Sequence, residues 1–177
     1  LFETIPTLDA ILDAHAADLG EDDLAYRNHA YRVANICAML SPNPPENIEK
    51  IAIAAAFHDL GIWTDKTFDY LQPSIRLVTA HLDRLGKSEW ATEICEMILQ
   101  HHKLSPYRGN SQWLVEPFRR ADWMDVSCGL LNFGLSRNFL RELFVKWSSA
   151  GFHRRLVSLE MKHLLSHPWN PVPMMKW

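Results

Sequence analysis

At 177 residues the chain suits one domain, or one domain with a tail, and folding at this size removes roughly 70% of the unfolded surface. Apolar residues make up 47% and charged residues 22%, which excludes the disordered, collagen-like and coiled-coil classes. Eighteen basic against twenty-one acidic side chains give a net charge of −3, which excludes a nucleic-acid or anionic-membrane binder working through bulk charge.

Helical periodicity begins at Thr7–Leu19, where Leu8, Ile11, Leu12, His15 and Leu19 share a face and Gly20 closes the stretch. A second helix is expected from about Asp22 to Leu40, with Tyr26, His29, Val33, Ile36, Cys37 and Leu40 in line; Ser41-Pro42-Asn43-Pro44-Pro45 then breaks it. The third runs from about Glu46 to Leu60 on a stripe of Ile48, Ile51, Ala52, Ala55, His58 and Asp59, with Gly61 expected to close it at positive φ. Residues 62–72 read as a loop. Pro73-Ser74 opens a fourth helix through Ile75, Val78, His81, Leu82 and Leu85, ended by Gly86. Ser88 is expected to cap a fifth, reaching His102 through Trp90, Ile94, Met97, Ile98 and His101. A sixth spans about Leu114–Leu131, Ser136 caps a seventh through Phe139, Leu140, Leu143, Phe144 and Trp147, and a last helix covers about His153–Leu165. No alternating strand pattern occurs, so the expectation is an all-α bundle over 1–166 and a Pro/Trp-rich, non-helical tail over 167–177.

Three widely spaced cysteines, Cys37, Cys95 and Cys128, read as reduced residues of a cytoplasmic protein rather than a disulfide framework. No apolar run reaches the ~18 residues of a membrane span. Leu1-Phe2-Glu3-Thr4 lacks the layout of a signal peptide, and without an initiator Met the chain is expected to lack its first residue or residues.

Nine histidines are the unusual number, and five of them stand with two aspartates inside apolar stripes: His29, His58-Asp59, His81, His101-His102 and Asp122. A buried imidazole or carboxylate without a partner is costly, so these residues are comfortable only if they converge, and nitrogen and oxygen donors converging in a helical core make a metal site. His58 and Asp59 lie about 100° apart on one helix, and an aspartate can bridge two ions with its two oxygens; two-metal sites need ions about 3.5–4 Å apart.

The order His29 … His58-Asp59 … Asp122, with the phrases Ala54-Ala55-Ala56-Phe57-His58-Asp59-Leu60-Gly61 and Arg120-Ala121-Asp122, resembles the HD-domain superfamily, from about Tyr26 to Asp125. That resemblance implies an HD-type helical bundle and, for most members, a metal-dependent phosphohydrolase. It also implies one or two divalent ions (iron, manganese, zinc or magnesium). His29, His58, Asp59 and Asp122 would hold the first ion, with His81, His101 and His102 in the order of the extra ligands of the binuclear branches. Lys103-Leu104-Ser105-Pro106-Tyr107 departs from the Gly-Tyr-Pro pattern of the cyclic-di-GMP phosphodiesterases. Ile62 stands where that branch has Lys and the diiron oxygenases have His, and Ala25 lacks the acid some members use for a third metal.

The remaining candidates are weighed one by one. Asp125 either holds a ligand histidine in orientation or is a plain helix charge. Lys66, with Asp65 and Asp69, sits where a substrate would enter, and is assigned with Asp59 to catalysis; loop charges are otherwise merely solvated. Lys103, Arg108 and Arg119, with Arg120, would form an anion clamp, although each alone reads as a surface cation. His15, His153, His163 and His167 receive no role, and Phe139, Phe144 and Trp147 are read as core. The expected activity is attack of a metal-activated water on a phosphate ester, a nucleotide or small phosphorylated metabolite. A diiron oxygenase, a cyanamide-type hydratase and, outside catalysis, a metal-stabilised binding module are the alternatives. The expected partner is a small-molecule substrate, with a homodimer left open and neither nucleic acid nor membrane.

Overall fold

The computed structural model of the chain describes residues 1–42, 44–166, 168–169 and 173–175, with residues 44 and 45 described by their backbone alone. Among these every regular element is helical, and no helix is long and apolar enough to cross a membrane.

α1 (Pro6–Ala14) starts on proline, whose fixed φ suits a first helical turn, and buries Leu8, Ile11 and Leu12. The expected single first helix is interrupted at His15 (φ −110, ψ 11), whose Nδ1 bonds Asp18 Oδ2 at 2.9 Å; α2 (Ala16–Leu19) follows, then a 3₁₀ turn at Gly20–Asp22. α3 (Asp23–Leu40) is the axis of the fold, with Tyr26, His29, Arg32 and Ile36 all buried. α4 (Pro44–Phe57) lies along it; its run from Ile51 to Phe57 is buried throughout, and the alanines at 52, 54, 55 and 56 let neighbouring helices come close on every side. α8 (Val115–Val126) packs on the other flank of α3, and α7 (Ala91–Gln100) joins α4 and α8 to α6 (Leu71–Leu85). α9 (Arg137–Lys146) buries Leu140 and Leu143, and α10 (Phe152–Ser166) packs against α3.

The caps explain the boundaries. Gly86 (φ 66) ends α6 in a left-handed turn, with Gly86 N–H on Asp83 O at 3.1 Å and Lys87 N–H on Leu82 O at 2.9 Å. α8 stops at Val126, short of the expected Leu131, by the same motif built on a non-glycine. Cys128 takes φ 53, and Cys128 N–H and Gly129 N–H bond Asp125 O and Met124 O at 2.9 and 2.8 Å. Ser136 caps α9, accepting from Phe139 N–H at 3.1 Å, as expected. Ser88 does not cap a helix; its hydroxyl bonds Asp83 at 2.6 Å and it opens a 3₁₀ turn, so α7 starts at Ala91.

Two expectations around residue 61 change. Gly61 does not end a helix at positive φ; it opens a short α5 (Gly61–Thr64) inside the expected loop. It is glycine because a Cβ there would meet Tyr70 O at 2.6 Å and the Pro73 side chain at 2.8 Å. α6 accordingly begins at Leu71, two residues before Pro73. The breaker residue Asn43 and, in the tail, residues 167, 170–172 and 176–177 lie outside the described residues. Pro168-Trp169 and Pro173-Met174 form turns, and Met174 is buried.

Candidate metal centre

Four helices deliver the site. α3 presents His29, the C-terminal end of α4 presents His58 and Asp59, the turn after α7 presents His101 and His102, and α8 presents Asp122 and Asp125. All but His102 are essentially buried; the His102 side chain keeps 21% exposure.

Three rings are set in the same way. His29 Nδ1 bonds Asp125 Oδ2 at 2.7 Å, His58 Nδ1 bonds Ala55 O at 2.9 Å, and His101 Nδ1 bonds Ile98 O at 2.6 Å. Each acceptor takes the ring's N–H, so each Nε2 turns a lone pair inward, the arrangement that metal-ligating histidines adopt. His29 Nε2 and His58 Nε2 stand 2.9 Å apart, and two lone pairs at that distance are held only by a positive charge between them, a proton or a metal ion. Asp59 Oδ2 lies 3.6 Å from His29 Nε2 and 3.3 Å from His58 Nε2, and Asp122 Oδ1 lies 3.8 Å from both. The other Asp59 oxygen, Oδ1, faces His101 Nε2 at 3.3 Å, and Asp122 Oδ2 faces His102 Nδ1 at 3.6 Å. Donor atoms therefore gather in two groups, His29–His58–Asp59 and Asp59–His101–His102, which share Asp59.

Asp59 Oδ1, His101 Nε2 and Asp122 Oδ1 are buried without a hydrogen-bond partner. Orphans of this kind are rare, and imidazole nitrogens mixed with carboxylate oxygens suit a divalent cation. The electrostatics agree. Burial pulls His29 down, yet the bonded Asp125 carboxylate, with Asp59 and Asp122, carries it up to about 9. Burial also raises Asp122, helped by the charges of Asp59 and Asp125 and opposed by His101 and His29, to about 7. Asp59 resists burial because His58, His101 and His29 surround it, and it stays well below the usual carboxylate range.

An outer ring of side chains fixes these donors. The buried Arg32 guanidinium grips Asp125 through Nε and Nη2 and also bonds Trp147 O at 2.9 Å and Ser148 O at 3.0 Å. Tyr26 donates to Ala56 O at 2.9 Å and accepts from Asp59 N–H at 3.3 Å. Phe152 stacks on His29 with ring centroids 4.0 Å apart. Tyr70, 2% exposed, places its hydroxyl in a hydrogen bond with His102 Nε2. Sequence reasoning missed Arg32, Tyr70 and Phe152 as parts of the site. Arg32, three residues after His29 on the same helical face, was the one available signal; Tyr70 lies in a stretch without periodicity. His153, given no role, bonds Asp125 O through Nε2 at 3.0 Å and Ser149 Oγ through Nδ1 at 2.9 Å.

Other expected site residues lie elsewhere. His81 does not join the cluster: its ring packs 5.1 Å from Phe57 in a surface cavity of about 310 Å³ shared with Thr7, His15, Glu49 and Arg84. Lys66 is not among the donors; it is exposed at φ 53 on the wall of a cavity of about 780 Å³, with Trp63, Phe68, Asp69, Arg155 and Lys162. Two of its wall residues pack against the outer ring of the centre: Trp63 lies 4.8 Å from Tyr26, and Phe68 lies 6.2 Å from Tyr70. Asp65 is paired with Arg76 at 2.6 Å. The anion clamp is not assembled. Arg119 is buried, with Nε and Nη2 on Glu116 at 2.8 Å and Nη1 on Lys103 O at 2.9 Å, so it anchors the loop behind His102. Arg120 also bonds Glu116, Arg108 lines a cavity with Trp113, and Lys103 lines another with Met174. His163 faces Phe68 at 5.7 Å, and His167 is outside the described residues.

An all-α bundle that turns imidazoles and carboxylates from four helices onto common points has the donor set that could hold a divalent metal ion. A family model, the HD domain, matches residues 26–127, more than half of the 177 residues, and the chain belongs to that family. No curated protein and no solved structure matches it.

Proposed function

We propose that the chain is a metal-dependent phosphohydrolase acting on a phosphate ester, either a nucleotide or a small phosphorylated metabolite. The observation that carries this reading is the shared carboxylate: Asp59 turns Oδ2 to His29 and His58 and Oδ1 to His101, so one side chain serves two donor groups. A divalent ion bound by such donors lowers the pKa of a bound water toward 7 and offsets charge on a phosphoryl oxygen. The chain's own residues do the remaining work. Asp125, Ala55 O and Ile98 O hold three imidazoles in one tautomer, so little reorganisation is needed during turnover. Tyr26, Phe118 and Phe152 wall the donors from solvent with aromatic rings. Lys66 offers the substrate's anionic group a counter-charge at the cavity, and Trp63 and Phe68 offer its organic part an apolar wall.

The test compares wild type with Asp59→Asn, both purified without added metal, by elemental analysis and by hydrolysis of a panel of phosphomonoesters and phosphodiesters. Wild type is expected to retain iron, manganese or zinc and to hydrolyse at least one ester class; the variant is expected to lose metal and turnover together. A variant with full metal and full turnover, or a metal-loaded wild type inert on every ester, refutes the proposal.

A further inference from the structure

We propose that Tyr70 is a positioning residue for His102: its hydroxyl fixes the ring with Nδ1 turned toward Asp122 and the group formed with Asp59 and His101, the place of the second ion in the binuclear members of the family. The inference rests on the metal centre described above and not on the identity of the substrate.

His29, His58 and His101 each tie Nδ1 to a fixed acceptor and turn Nε2 to the centre. His102 is reversed. Its Nε2 is bonded to the Tyr70 hydroxyl, and its Nδ1 lies 3.6 Å from Asp122 Oδ2. No backbone carbonyl takes its outer nitrogen among the described residues, so Tyr70 is the group that decides the tautomer. A phenol oxygen accepts as well as donates. Accepting from Nε2–H, Tyr70 leaves the Nδ1 lone pair free to face inward. Then all four imidazoles obey one rule: outer nitrogen bonded, inner nitrogen bare.

Tyr70 is built to hold this place. Its carbonyl accepts from Ser74 N–H at 2.9 Å, Ser74 Oγ accepts from Gly61 N–H at 3.0 Å, and the missing Gly61 side chain leaves room for Tyr70 O. Gly61 follows the His58-Asp59 doublet by two residues, so the segment that carries the shared aspartate also seats the tyrosine. His102, by contrast, is the one partly exposed imidazole of the two groups, and it needs an outside anchor.

The experiment uses the full chain, stripped with chelator and titrated with manganese alone or zinc alone, with ions per chain counted by calorimetry and by elemental analysis after gel filtration. Wild type is expected to bind two ions. Tyr70→Phe, which keeps the ring and its packing, is expected to keep the tighter ion unchanged and to bind the weaker one ~10–100-fold less well, with the metal-free melting temperature held. His102→Ala is expected to lose the same ion, and Tyr70→Phe to add nothing in that background. On zinc-loaded wild type, imidazole ¹⁵N NMR is expected to find His102 as the Nε2–H tautomer and His29, His58 and His101 as Nδ1–H, a readout that survives even if the variant does not fold. The proposal is overturned by a single ion in wild type, by equal or tighter second-ion binding in Tyr70→Phe, by equal weakening of both ions, or by a His102 Nδ1–H tautomer. Inertness toward every phosphate ester would refute the phosphohydrolase reading and leave these ion counts as they are.

Discussion

Replacing Asp125 by asparagine changes one atom and removes one charge. The carboxylate accepts from Arg32 Nη2 at 3.0 Å, from Arg32 Nε and from His29 Nδ1 at 2.7 Å, and all three side chains are fully buried. In Asp125→Asn the Arg32 guanidinium keeps one amide oxygen and the carbonyls of Trp147 and Ser148, all neutral acceptors that bond it without neutralising it. Removing one partner of a buried ion pair costs about 3–5 kcal/mol. For a domain of this size ~1 kcal/mol corresponds to about 2–4 °C, so the metal-free variant is expected to melt roughly 6–20 °C below wild type. His29 also loses the group that fixes its tautomer, and metal affinity is expected to fall ~10–100-fold. Thermal melts by circular dichroism, in chelator and in manganese, measure both effects. The double variant Arg32→Met/Asp125→Leu, which removes both charges together, is expected to melt above Asp125→Asn in chelator. An Asp125→Asn protein that melts within about 2 °C of wild type and binds manganese equally well would refute the reasoning.

Gly61→Ala puts a methyl group 2.6 Å from Tyr70 O; overpacking of this kind costs about 1–3 kcal/mol, and a variant as stable as wild type in a denaturant titration would contradict the close approach. Glu116 accepts from Arg119, Arg120 and Tyr107 N–H. Although burial opposes it, these bonds draw its pKa down to about 2 from 4.5. A lowered carboxyl pKa stabilises the fold above its unfolded value and loses that contribution as pH falls from about 4.5 to about 2. After screening at this partly exposed group the contribution is about 1–2 kcal/mol. Glu116→Gln is therefore expected to lose less stability than wild type between pH 5 and pH 2, and parallel losses would show that the carboxylate is not engaged.

The elements and donors that were legible in the sequence share one property: they lie on regular helices or in the turn that directly ends one. His29, His58, Asp59 and Asp122 interrupt apolar stripes, and a stripe faces a core. His81 interrupts a stripe in the same way, between Val78 and Leu82, but its ring meets Phe57 and faces α1. Periodicity says that a residue points inward and does not say at which neighbour. The anion clamp failed for a related reason. Nothing in the order of Lys103, Arg108, Arg119 and Arg120 reveals that Glu116 has already engaged two of them. Residues 62–72 and the hydroxyl of Tyr70 were opaque because they depend on contacts between segments that share no helical repeat, and the turn at Cys128 was opaque because a non-glycine residue takes the left-handed conformation there.

Arg32 has a consequence for where this protein can be cut. The family match ends at residue 127, yet two of the guanidinium's acceptors, Trp147 O and Ser148 O, and the ring that covers His29, Phe152, all come later in the chain. A fragment trimmed to the family boundary would carry every candidate ligand and still lack the struts that hold the first of them upright.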